Sequence, residues 1–208
     1  MRRHLAILAG SIVAGSTLVM VLTGGMRERL SLASAYVALA LLAITLSLGP
    51  LNVLRGRSNP VSFHRRRDFG IWSAVFGLLH TGIGLTVHLR GKMWQYFLPT
   101  DDSPRLLGLR ADLFGAANYA GLAAVFLLVL LSAISNDRAL RSLGVSRWRG
   151  IQRWAYPLLA LTVVHGALYQ MMERRGAALV ITFAALVVAV VGLQLARRRR
   201  GETRRSPA

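Results

Sequence analysis

The sequence predicts an all-α integral membrane protein, a six-helix transmembrane bundle with both termini in the cytoplasm. Three observations predict it. Of 208 residues, 54% are hydrophobic and only 16% charged, which is membrane composition. Six apolar runs are each long enough to cross a hydrocarbon core of about 30 Å at about 1.5 Å per residue. The connections between them alternate between strongly basic and near neutral, as the positive-inside rule requires.

MRRH precedes a first run from Leu5 to Thr23. It is longer than the apolar region of a signal peptide and ends in TGG without a small-x-small cleavage site, so it reads as a retained helix. The second run goes from Leu30 to Leu54, with Gly49-Pro50 near its end, where proline is expected to bend or stop it. The others are Asp68 to Leu89, Leu113 to Ile134, Ile151 to Met171 and Ala177 to Ala196. Residues 1–196 then form one transmembrane domain, and 197–208 a basic cytoplasmic tail facing solvent and lipid headgroups.

MRRH, the stretch from Arg55 to Arg67, the stretch from Asp137 to Arg149 and the RRRRGETRR tail are basic. MRER after the first run, the loop from Arg90 to Asp112 with Asp101, Asp102 and Asp112, and Glu173-Arg174-Arg175 are close to neutral. This puts the termini inside and the neutral loops outside, in a multi-pass membrane protein. Trp72, Trp148 and Trp154 then fall near the inner interface, and Trp94 and Tyr96 near the outer one. The net charge of +18 thus orients helices in the lipid bilayer, and no nucleic-acid partner is expected.

The absence of cysteine excludes disulfides, thiolate metal sites, iron-sulfur clusters and thioether-attached haem. Histidine is the strong soft-metal ligand that remains. No GxGxxG fingerprint occurs and no stretch is left for a soluble catalytic domain, so any flavin or nicotinamide chemistry comes through a partner.

Among the five histidines, His4 and His64 lie in or beside basic cytoplasmic segments. His80 and His165 lie inside the third and fifth runs, where an ionisable ring is costly enough to mark a functional site. His80 follows Arg67 by 13 residues and His165 follows Arg153 by 12, which puts them roughly 20 and 18 Å above the inner boundary. Two level imidazoles on parallel helices can clamp one haem iron from opposite faces. Gly77 and Gly84 share a helix face with His80 and leave a gap below and above it. That gap serves a flat macrocycle or close helix packing. His88, about 12 Å further out, cannot share that iron. It is either an interfacial histidine or a contact to a haem propionate, a second ligand, or a proton donor. Arg90, Lys92, Arg174 and Arg175 lie at the same outer level, where propionates could pair with them.

The third segment, RRRDFGIWSAVFGLLH, and the fifth, SRWRGIQRWAYPLLALTVVH, resemble the ferric reductase-like transmembrane domain family. That family includes the haem-binding membrane subunit of the methionine sulfoxide reductase system and the membrane parts of NADPH oxidases. The resemblance covers about Gly49 to Met171. It implies b-type haem between the third and fifth spans and electron movement across the membrane, with His80 and His165 at the positions of the outer-haem ligands. Two departures stand out. Gln152 stands where the family often has a histidine, so one haem is expected and a second is in doubt, and no flavin or nicotinamide domain is appended.

The expected function is a cytochrome b-type carrier taking electrons from quinol or a cytoplasmic flavoprotein donor. It would pass them to an extracytoplasmic acceptor such as ferric iron, oxygen or a partner reductase. The alternative is a non-redox membrane subunit or small transporter whose histidines pack or relay protons.

Overall fold

The computed structural model describes residues 2–56, 61–99 and 103–203; the side chains of 61–63, 90 and 201–203 fall outside that description, as do Asp101, Asp102 and the last five tail residues. Among the described residues seven α-helices follow one another: α1 (Arg2–Val21), α2 (Met26–Leu54), α3 (Val61–Gly84), α4 (Leu113–Ala133), α5 (Asp137–Gln152), α6 (Ala155–Met172) and α7 (Ala177–Thr203). Between α3 and α4 lie two 3₁₀ turns and a minimal hairpin pairing Arg105–Leu106 with Leu109–Arg110.

Four of these helices, α1, α2, α4 and α7 as far as Arg200, are long and apolar enough to cross a membrane by length and composition. The third and fifth predicted runs, now α3 and α6, are less apolar for a chemical reason. They carry the polar side chains Asp68, His80, His165, Tyr169 and Gln170 that face other helices or the interior cavity.

Three local features depart from the sequence expectations. Pro50 neither stops nor splits α2. The helix continues to Leu54, and the Leu46 carbonyl that Pro50 cannot bond accepts Gln194 Nε2 of α7 at 2.9 Å. The third run does not reach Leu89 as a helix. α3 stops at Gly84, whose carbonyl accepts from the Tyr96 hydroxyl at 2.9 Å, while that oxygen also takes the His88 backbone N–H. His88 therefore sits in the turn beyond the helix, and Tyr96 is a buried cap, 1% exposed, while Trp94 remains exposed. The basic stretch from Asp137 folds as α5, with Asn136 accepting the Ala139 N–H as its N-cap.

Helix α2 packs against α1, α3 and α7, and α4 against α3 and α6. The core cluster joins Leu42 and Leu46 of α2, Ala124, Leu127 and Leu131 of α4, Leu158 and Leu159 of α6 and Val190 of α7; Leu42, Ala124 and Leu158 also line the cavity that His80 and His165 face.

On the basic side, α1 is fastened to α3. Asp68, 2% exposed, meets Arg3 Nε at 3.2 Å and His4 Nε2 at 3.4 Å. The Trp72 indole N–H donates to His4 Nδ1 at 3.2 Å, so His4 presents its Nε2–H to the carboxylate. Arg3 and His4 are half-exposed and can return to water, whereas Asp68 cannot. Replacing both with alanine is therefore expected to cost about 3 kcal/mol, and adding Asp68→Asn to recover most of it. Unfolding in detergent micelles measures both.

Candidate cofactor site

The two histidines arrive on different helix pairs. His80 stands on α3 beside α2, and its Nδ1 lies 2.9 Å from the Ser31 carbonyl oxygen and 3.2 Å from Ser31 Oγ. His165 stands on α6 beside α4, and its Nδ1 lies 2.8 Å from the Ala117 carbonyl oxygen. A carbonyl only accepts, so each ring carries its proton on Nδ1 and keeps a lone pair on Nε2. Hydrogen bonding of this kind fixes the tautomer and orientation of a metal-binding imidazole.

The rings meet across a cavity of about 270 Å³, centroids 6.0 Å apart and planes 71° apart. Helices α3 and α6 have no extensive contact of their own, so the space between the α2/α3 and α4/α6 pairs is spanned by the imidazoles. A metal–imidazole bond of about 2.0 Å and a nitrogen-to-centroid distance of about 1.1 Å would put two rings on one ion with centroids about 6 Å apart. Among the described residues no group of three or more histidine or carboxylate side chains could form a metal cage, so the arrangement suits a group that brings its own equatorial ligands.

Gly77 and Gly84 line the same cavity. A β-carbon on Gly77 would stand 2.7 Å from Leu128 Cδ2 of α4, so that position serves helix packing as well as the cavity wall. One on Gly84 would stand 3.3 Å from Ser31 Oγ and 3.7 Å from His80 Cε1. His88 reaches the rim of the cavity away from the basic connections. Its ring stacks on Tyr169 at 6.3 Å and its Nε2 lies 3.3 Å from Glu173 Oε1. It has a carboxylate partner of its own and is not brought against His80 or His165.

Of the basic residues expected at the level of His88, Arg175 lines the cavity and pairs with Glu28 at 2.5 Å and more loosely with Glu173 at 3.7 Å. Arg174 lines a second pocket beside Gly24 and Leu179, while the Arg90 side chain lies outside the described residues. Gln152 is turned away to Ser135 Oγ at 3.3 Å.

Sequence reasoning missed several residues here. Ser31 and Ala117 act through backbone oxygens, which no side-chain pattern reports. Gly121 of α4 lets the His165 ring lie on the helix backbone, since a β-carbon there would stand 2.7 Å from Nδ1. Tyr169 carried a readable signal: it follows His165 by four residues, on the same helix face, and the rings lie 5.0 Å apart. Its hydroxyl donates to Asn118 Oδ1 at 3.0 Å.

The model of the ferric reductase like transmembrane component family matches residues 34–163, from within α2 to within α6. The chain is also 30% identical over 128 residues to the protein-methionine-sulfoxide reductase heme-binding subunit MsrQ of Xanthomonas axonopodis pv. citri. That similarity covers 62% of this chain and 52% of the relative, so the chain spans about half the length of the curated relative it matches. With most of its length accounted for by the family model, this multi-pass membrane protein belongs to the ferric reductase like transmembrane component family.

Proposed function

We propose that this chain is a transmembrane electron carrier of a bacterial inner membrane, binding one haem b with His80 and His165 as axial ligands. The observation that carries it is the pair of imidazoles 6.0 Å apart across the cavity, each with Nδ1 tied to a carbonyl, which leaves a lone pair on Nε2 for a metal. Family membership and the heme-binding name of the relative support the same reading. Six spans, α1 to α4 with α6 and α7, and cytoplasmic termini follow from the alternation of basic and neutral connections.

When bound, a bis-imidazole haem supplies one-electron transfer without an open coordination site. The chain's own residues hold and tune it. The Ser31 and Ala117 carbonyls orient the ligands and raise their basicity, and the apolar walls keep the site dry. Gly77 and Gly84 would border such a group, and His88 with Arg175 at the rim would be the residues to meet its propionates. Below the foot of the cavity, which Leu42 and Leu158 line, the inner level is filled by packed Leu46, Leu127 and Leu131. With Gln152 bonded elsewhere, no second haem is held there.

A single haem in the outer half lies far from the cytosol, which favours quinol as donor over a cytoplasmic flavoprotein. The acceptor is extracytoplasmic: ferric iron, oxygen or a partner reductase.

Purified protein supplemented with haem is expected to show a Soret band and a haem-to-polypeptide ratio of about one. Gln152→His is expected to leave that ratio unchanged, because a ligand alone does not open the packed core around it. No Soret band overturns the haem reading, and a ratio near two overturns the single site.

A further inference from the structure

Helix α5 is amphipathic and lies along the basic-side end of the bundle; none of its residues is fully buried, though Leu140, Leu143, Trp148 and Ile151 are half-buried and Ile151 packs against the core. Its only carboxylate, Asp137, pairs with Arg67 of α3 at 2.5 Å, and that guanidinium holds the carboxyl below the usual carboxylate range. At its other end the Trp148 indole donates to the Ile134 carbonyl at 3.0 Å, so the helix is pinned to the ends of α3 and α4.

Between the pins, Gly144 breaks the helix with φ 72° and ψ 159°, a conformation open to glycine and strained for any side chain. Each half has two faces. In the first, Leu140 and Leu143 lie opposite Arg138 and Arg141. In the second, Val145, Trp148 and Ile151 share an arc flanked by Arg147 and Arg149. All four arginines are exposed, and among the described residues none of them forms an ion pair. Val145 and the following Trp154 are each 54% exposed.

We propose that α5 is a binding site for anionic phospholipid of the cytoplasmic leaflet, its apolar arc in the acyl boundary and Arg138, Arg141, Arg147 and Arg149 on lipid phosphates. Three observations select lipid as the occupant. The helix joins two elements at their basic-side ends, so it already lies at the bilayer surface. The apolar surface it leaves uncovered is narrow, led by Val145 beside the half-buried Leu140, Leu143 and Trp148, which suits an interface rather than a broad protein-docking face. Among the described residues none of the four guanidinium groups forms an ion pair, the one carboxylate near them, Asp137, being held by Arg67, and anionic headgroups supply the counter-charge. The inference rests on the orientation proposed above and is independent of the haem.

The test uses the full chain in nanodiscs of phosphatidylcholine with or without phosphatidylglycerol, reading retained lipid by native mass spectrometry. The wild type is expected to retain phosphatidylglycerol selectively. R138Q/R141Q/R147Q/R149Q is expected to lose that retention by on the order of tenfold or more, while R197Q/R198Q/R199Q/R200Q in the tail keeps it. Both variants are expected to keep their haem spectrum, which separates failure here from failure of the haem reading. In this cysteine-free chain, Ser146→Cys is expected to react with an impermeant maleimide only from the cytoplasmic side. Equal retention of both lipids, an effect confined to the tail variant, or labelling from outside would overturn the proposal. So would an α5 variant that keeps its lipid but loses binding of an acidic flavoprotein, since the surface would then serve a protein.

Discussion

Replacing either His80 or His165 with alanine removes the low-spin haem spectrum from purified protein, and replacing His88 leaves it: this is the expected result if the pair across the cavity is the ligand pair. The loss is not a disguised folding defect. The Ser31 and Ala117 carbonyls belong to helices α2 and α4, and the imidazoles use their second lone pairs. Removing a ring therefore leaves no orphaned acceptor, and the Ser31 oxygen also accepts from Ser34 Oγ at 2.9 Å. Apo-protein stability should change little while six-coordinate binding disappears. His88→Ala breaks the contact to Glu173 and the stacking on Tyr169, so a shift in potential is expected with the spectrum retained. Visible absorption and electron paramagnetic resonance of the three variants decide it, and loss of the signal in His88→Ala alone would sink the assignment.

The level of the two histidines was legible from counting residues above the flanking arginines, because a helix converts sequence distance into depth at a fixed rise. That count does not report azimuth. Which carbonyl each ring faces depends on how α2 sits on α3 and α4 on α6, and small glycine contacts spread along the interfaces set that. The helix end at Gly84 was hidden for a similar reason: the apolar pattern continues through Leu85 and Val87, and the hydroxyl that ends the helix comes from Tyr96, twelve residues on. Pro50 misled in the opposite sense, since the partner that spares α2 a break is Gln194, 148 residues after Leu46. Helix α5 could have been read, because its arginines and apolar residues already fall on opposite faces. A rule that treats basic stretches as connections passes over it.

Gly121→Ala gives the sharpest separation of fold from site. In an exposed helix, glycine to alanine is stabilising by about 1 kcal/mol, and Gly10→Ala, where a β-carbon meets nothing within 4 Å, supplies that control. At Gly121 the added methyl would stand 2.7 Å from His165 Nδ1 and 2.9 Å from Cε1, closer than side chains come. The ring cannot yield sideways while Nδ1 holds the Ala117 carbonyl, one helical turn earlier on the same face. It yields by leaving that carbonyl and moving into the cavity toward His80. The tautomer is then no longer fixed, and losing such a supporting bond weakens metal binding by about 10- to 100-fold. Haem titration of apo-protein should show that loss while thermal unfolding of the same apo-protein is unchanged or raised. Parallel loss of both would mean Gly121 serves packing alone, and unchanged haem affinity would mean that His165 does not depend on the Ala117 carbonyl to hold its Nε2 on the metal.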